Sequence, residues 1–158
     1  MNTEIMYRPA MLGDIDQMSA LHEFARYAYS YLFSPTYLTR ILKDTDWGTL
    51  VAVQSVEQII GMATFTFPTS QRPEINCLVT NGTTGVGRVL LRRVEDILIQ
   101  RGYDSVTLES NNPHYQPQLD KWYTQQGYMH DPMSKFLLER QKNLLVHPER
   151  LIHLTTEH

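Results

Sequence analysis

Eight residues in the middle of the chain, Asn81-Gly82-Thr83-Thr84-Gly85-Val86-Gly87-Arg88, carry its clearest chemical signal. They join a strand-forming stretch to one with helical spacing. Glycines let a backbone turn with its N–H groups pointing inward. The start of a helix adds a partial positive charge. Together these make an anion site, usually one for phosphate. Three phosphate-binding patterns compete. A nucleoside-triphosphate loop requires Gly-x-x-x-x-Gly-Lys-Ser/Thr. Gly82 and Gly87 have that spacing, but Arg88 and Val89 follow, so the lysine and the magnesium-binding hydroxyl are missing. A dinucleotide fingerprint requires Gly-x-Gly-x-x-Gly. Gly85 and Gly87 open it, but Leu90 stands in the third place. The third pattern, x-x-Gly-x-Gly at the start of a long amphipathic helix, fits acetyl-CoA. A strand-to-helix turn with no ligand is the remaining reading, and the loop alone leaves it open.

Flanking elements must hold such a loop still. Residues Val86, Val89, Leu90, Val94, Ile97 and Leu98 recur at helical spacing, the strongest periodic signal in the chain, and predict a helix from Val86 to Arg101. Gly102 is its natural stop. Ahead of the loop, Glu74 to Thr80 reads as a strand with an apolar centre. Upstream, Thr49–Gln54 and Gln58–Phe67 read as a hairpin around Ser55-Val56-Glu57, rich in β-branched and aromatic residues. Residues 4–8 predict a first strand. Asp14 is expected to cap a helix running to about Tyr31, with Leu12 and Met18 stapled around its start. Ser34-Pro35 breaks the chain before a second helix from Thr36 to Lys43. Downstream, Ser105–Ser110 reads as a strand, Gln116–Gln126 as a helix stopped by Gly127, and Met133–Leu138 as a last strand. The resulting order, β-α-α-β-β-β-α-β-α-β, predicts an α/β chain of α+β type with a mixed sheet.

Composition narrows the classes. A chain of 158 residues fits one domain and can bury about 70% of its unfolded surface without metal or disulfide staples. Net charge of -3 gives no basic face for nucleic acid. No run approaches the roughly 20 apolar residues of a membrane span, and residues 1–12 do not form a secretory signal. The single cysteine, Cys77, suits a reducing compartment, so a cytoplasmic location is expected. The six histidines include no close metal-ligand pair, and no metal is expected. The seven methionines, and most of Phe24, Tyr27, Tyr29, Tyr31, Phe33 and Tyr37, read as core packing.

The glycine loop and its surroundings resemble the Gcn5-related N-acetyltransferase (GNAT) superfamily. That family's cofactor motif is Arg/Gln-x-x-Gly-x-Gly/Ala. Gly85 and Gly87 match its glycines, while Gly82 stands where Arg or Gln is usual. A second stretch, Trp122-Tyr123-Thr124-Gln125-Gln126-Gly127-Tyr128, is similar to the family's Phe-Tyr-x-x-x-Gly-Phe signature. Gln100-Arg101-Gly102-Tyr103 and the opening Tyr7-Arg8-Pro9-Ala10 also resemble family positions. The likeness spans about residues 4–140. It implies a mainly antiparallel central sheet, helices on both faces, and a splayed fourth and fifth strand pair. Residues 1–140 would be the catalytic domain and 141–158 an extension of it.

The resemblance also implies a chemistry. Leu78, Val79 and Thr80 would offer backbone to the pantetheine arm of acetyl-CoA, as a sheet edge offers it to a peptide. Thr83, Thr84, Gly85, Val86, Gly87 and Arg88 would hold the pyrophosphate. Transfer of the acetyl group to a primary amine of a small molecule or peptide requires that amine neutral, and a lysine-like amine has a pKa of about 10.4. Removing its proton at pH 7 costs about 4–5 kcal/mol. Glu74 and Glu109, on the splayed strands, are the candidate bases. His114 is a weaker one, because about three extra residues around Asn111 to Pro117 disturb the match there. Tyr123 occupies the family's acid position; a phenol with a pKa of about 10 is protonated at pH 7 and can donate to the departing sulfur. Its competing role is packing beside Trp122. Arg88 is read equally as a phosphate ligand and as a solvated helix residue. Cys77, in an apolar strand, reads as an inert thiol, so amine attack would be direct. A catalytically silent acyl-CoA sensor is the competing function, because Gly82 replaces Arg/Gln and no base is clear. The 141–158 segment reads as an added helix, a docking tail or a dimer contact, and a homodimer is favoured over a monomer.

Overall fold

The structure is a computed structural model that describes residues 4–25, 28–55, 57–68, 71–109, 117–130 and 139–144. Its contacts divide into two compact units. The first comprises Met1–Phe67 and Asn76–Val94, the second Pro68–Ile75 and Glu95–His158.

In the first unit, β1 (Ile5–Pro9) pairs antiparallel with β2 (Trp47–Gln54), placing Tyr7 opposite Ala52. Strand β2 pairs antiparallel with β3 (Gln58–Thr66), and the register slips between Ala52 and Val53. The third hydrogen-bonded neighbour is β4 (Glu74–Thr80). Helices α1 (Ile15–Ala20) and α2 (Pro35–Leu42) supply Met18, Leu38 and Ile41 to a core shared with Val51, Met62, Cys77 and Val79. Each such fully buried aliphatic side chain contributes about 1.5–3 kcal/mol. Ser34 caps α2 by accepting from the Tyr37 N–H at 3.3 Å, and Pro35 opens it where no N–H is needed.

In the second unit, Glu74 and Ile75 of β4 pair parallel with Thr107 and Leu108 of β5 (Ser105–Glu109). Strand β5 pairs antiparallel with β7 (Glu139–Asn143), and β7 with the two-residue β6 (Met129–His130). Hydrogen-bonded order is therefore β1-β2-β3-β4-β5-β7-β6, mostly antiparallel, with β4 and β5 parallel. Helix α3 (Val86–Gln100) runs from the first unit into the second, and α4 (Pro117–Gln125) lies in the second. Both helices end alike. Gly102 and Gly127 turn at φ 92° and 94°. Tyr103 N–H then reaches the Leu98 carbonyl and Tyr128 N–H the Tyr123 carbonyl, each at 3.0 Å. This six-to-one closure satisfies carbonyls the helix end leaves bare.

Several expectations need correction. The first helix ends at Ala20, not near Tyr31, and short 3-10 turns follow at Leu21–Phe24 and Ser30–Phe33. Ile15, Met18 and Leu21 are buried on the inner side of this segment. Asp14 does not cap α1 through its side chain. Its carboxylate reaches back to the Met11 N–H at 2.7 Å and takes two hydrogen bonds from the Arg8 guanidinium, at 2.7 and 3.0 Å. No staple joins Leu12 to Met18, since Leu12 is 55% exposed and Met18 fully buried. Phe24, Tyr29, Tyr31, Met6, Met11 and Met129 are exposed rather than core. Among the described residues the last strand, β7, stands at Glu139–Asn143. The Met133–Leu138 expectation lies outside the described residues, as do Tyr27 and residues 145–158.

Candidate functional site

The glycine loop falls between β4 and α3, wholly inside the first unit. Its fold is written in side chains that sequence reasoning passed over. The Asn81 amide oxygen accepts from the Thr83 N–H at 3.0 Å and from the Thr83 hydroxyl at 2.6 Å. Thr80 does the same for the Gly82 N–H at 3.1 Å. Such short side-chain-to-backbone turns are what Asn and Thr do before a glycine, and an Asn-Gly pair after a strand is the signal that could have found them. Asn81 N–H in turn donates to the Ile60 carbonyl at 2.8 Å, tying the loop to β3.

Beyond Thr83 the backbone opens. Gly82 and Gly85 sit at φ 94° and 84°, a region costly to other residues, and a side chain at either would meet nothing within 4 Å. Val86 N–H donates to the Thr83 carbonyl at 3.3 Å, and Val89 N–H to Gly85 at 3.1 Å. Among the described residues, the N–H groups of Thr84, Gly85, Gly87 and Arg88 donate to no protein carbonyl or side chain. This is the run of unpartnered donors expected at a helix start. Val86 itself is buried and anchors the turn, and Gly61 of β3 lets it approach: a Cβ there would meet Val86 at 3.2 Å and the Val79 carbonyl at 3.2 Å. Arg88 points to solvent on the first turn of α3.

On β4, Ile75, Cys77 and Val79 are buried, while Glu74, Asn76, Leu78 and Thr80 are half-buried on the alternate positions. Among the described residues, the parallel pairing with β5 joins Glu74 and Ile75, and Leu78, Val79 and Thr80 lie beyond it. Burial pushes the Cys77 thiol up to about 12, leaving it protonated and unreactive near neutrality. Among the described residues, no three His, Cys, Asp or Glu side chains gather where a metal ion could sit.

In the second unit, Tyr123 lies in the last turn of α4, 7% exposed. Its ring meets Trp122 edge-on at 5.0 Å and Tyr128 at 5.9 Å. Glu74 stands opposite Thr107. The Glu109 backbone pairs with Glu139, and its side chain lies outside the description, as do Asn111, Asn112 and His114. The glycine loop lies in the first unit and Tyr123 in the second.

Comparison with known proteins adds to this geometry. No curated protein matches the sequence. Among solved structures, a GNAT-family acetyltransferase from Desulfovibrio desulfuricans is similar at 12% identity and a TM-score of 0.73, over 89% of this chain and 99% of that one. A PaiA N-acetyltransferase from Thermoplasma acidophilum, in complex with coenzyme A, is similar at 16% identity and a TM-score of 0.72, over 89% and 99%. The GNAT-family N-acetyltransferase YhbS from Escherichia coli, also in complex with coenzyme A, is similar at 18% identity and a TM-score of 0.66, over 96% and 86%. These likenesses concern the fold. The model of the acetyltransferase (GNAT) family matches residues 15–128, a stretch holding the glycine turn, α3, Tyr123 and Tyr128, and the chain belongs to that family.

Proposed function

We propose that this protein transfers an acetyl group from acetyl-CoA to a primary amine of a small molecule or peptide, by direct attack in a ternary complex. The observation that carries the proposal is the turn at Thr80–Arg88. Its four unpartnered N–H groups, at a helix start and beside two side-chain-free positions, suit a pyrophosphate. The coenzyme A held by two of the similar structures supports the same cosubstrate class. In this reading Thr84, Gly85, Gly87 and Arg88 donate to the pyrophosphate, while Thr83 and Val86 spend their N–H groups shaping the turn. Leu78, Val79 and Thr80 offer backbone to the pantetheine arm.

Glu74 or Glu109 then takes a proton from the amine, directly or through water. The amine nitrogen attacks the thioester carbon, a C–N bond forms and the C–S bond breaks. The Tyr123 phenol gives its proton to the departing sulfur and recovers one, through water, from the nitrogen that becomes the amide. The neutral Cys77 thiol supports direct attack over a covalent relay through the protein. The proposed setting is the cytoplasm, as a homodimer without nucleic-acid or membrane partners. Among the described residues no helix is long and apolar enough to cross a membrane.

Calorimetric titration with acetyl-CoA, with ATP and NAD as controls, tests the cosubstrate. Micromolar binding of acetyl-CoA alone is expected, and its absence would sink the proposal. An amine panel then tests transfer. Tyr123→Phe should lower turnover about 10²-fold or more with acetyl-CoA binding kept. Binding without turnover on any amine would point to a silent acyl-CoA sensor instead.

A further inference from the structure

Behind Tyr123 lies a buried charge cluster that the proposed reaction does not use. Glu95 of α3 is 1% exposed. One of its oxygens accepts from the Tyr128 hydroxyl at 2.6 Å. Lys142 of β7 sits 3.2 Å from each of the two oxygens. The same ammonium lies 5.5 Å from the centre of the Tyr128 ring, within cation–π range. Glu95 of α3, Tyr128 just past α4 and Lys142 of β7 thus meet on one carboxylate, all three residues inside the second unit.

A stability role alone would be a weak account of this arrangement, because buried ion pairs return little net stability compared with apolar packing. What they do supply is a single geometry. Here that geometry ends on Tyr123. Tyr128 N–H donates to the Tyr123 carbonyl, and the two rings touch edge-to-face at 5.9 Å and 75°. Gly127 gives the left-handed turn that lets Tyr128 fold back, and the Lys142 stem passes 3.2 Å from where a Cβ there would stand.

We propose that Glu95, Lys142 and Tyr128 form a clamp that sets the position of the Tyr123 phenol, making them positioning residues for acetyl transfer. The proposal rests on Tyr123 as the acid. Tyr128 is pinned at its backbone by the helix end, on its ring face by Lys142 and at its hydroxyl by Glu95. A ring held at three points is a fixed wall for its neighbour, and proton delivery to sulfur depends on where that neighbour's hydroxyl lies.

The test is 19F NMR on the full chain labelled with 3-fluorotyrosine at all nine tyrosines. The Tyr123 line is the one missing from Tyr123→Phe. Tyr128→Phe keeps the ring and removes the hydroxyl; Glu95→Gln keeps the shape and removes the charge. Both variants are expected to move the Tyr123 line by more than its width, while Tyr103→Phe, at the other helix end, leaves it in place. A line that stays put in either clamp variant overturns the proposal. Thiol release from acetyl-CoA with amines of the panel separates the two readings. Full turnover in Tyr123→Phe, with the line moved in both clamp variants, would end the acid assignment and keep the clamp. Turnover lost in Tyr123→Phe, with an unmoved line in the clamp variants, would do the reverse.

Discussion

Asp14 shows how a residue type can be read correctly as structural and still be given the wrong partner. Its carboxylate holds Arg8 on one side and the Met11 N–H on the other. The Arg8 hydrogen bonds first, and then the Met11 N–H, hold it below its usual 3.8 against the opposing effect of burial. A folded-state pKa below the unfolded one means stability that is present above the unfolded value and lost as pH falls through the folded one. Asp14→Asn should therefore cost about 1–2 kcal/mol at pH 7, a gap that closes in acid as the wild-type carboxyl protonates. Urea unfolding at the two pH values measures it, and equal stability at pH 7 would refute it. Cys77 gives the opposite kind of residue-scale expectation. With its thiol pushed up to about 12, it should resist alkylation in the folded protein. Cys77→Ala should keep full turnover at a stability cost of about 1 kcal/mol. Lost turnover in a folded Cys77→Ala would reopen a covalent mechanism.

Elements were legible where one physical demand dominated. Helix α3 lies within a residue of its expected end because its apolar positions repeat over four turns and Gly102 stops it. Strand β4 matches its expected bounds because the apolar centre is fenced by polar ends. Strand β7 was invisible, since Glu139-Arg140-Gln141-Lys142-Asn143 contains no apolar residue. Its inward charge, Lys142, is satisfied by Glu95, 47 residues earlier, a pairing no local pattern reveals. The glycine loop is legible from its glycines, whereas the hydrogen bonds by which Asn81 folds it are not. Two of these glycines make a controlled comparison. Gly85 and Gly127 have similar dihedrals, φ 84° and 94°, but Gly85 faces open space and Gly127 faces the Lys142 stem. Alanine at either should cost about 1–2 kcal/mol from the backbone alone. Gly127→Ala must also displace a lysine that Glu95 holds, so it should cost more in thermal unfolding. That excess should vanish in a Lys142→Ala background. An excess that persists there would show that the lysine is not its cause.

At the scale of the whole molecule, the net charge of -3 works against an anionic cosubstrate. Long-range attraction therefore contributes nothing, and binding falls on local donors at the turn. Those donors are neutral N–H groups, with the exposed Arg88 guanidinium on the same first turn of α3. Salt screens charges over about 8–10 Å but barely weakens a short hydrogen bond. Raising salt from roughly 50 to 300 mM should then change the acetyl-CoA dissociation constant by less than about threefold, and Arg88→Ala should remove most of what change there is. A ligand that binds only the folded chain at a hundred times its dissociation constant adds about 2.7 kcal/mol of stability. For a chain of 158 residues, that corresponds to a rise in melting temperature of about 5–10 °C. ATP and NAD, whose loop patterns this turn breaks at Arg88, Val89 and Leu90, should give no rise at the same concentration. A melting temperature that climbs equally with all three would mean that the turn holds any phosphate. A binding constant that falls steeply with salt would move the site away from the neutral donors of α3 and onto a basic surface elsewhere.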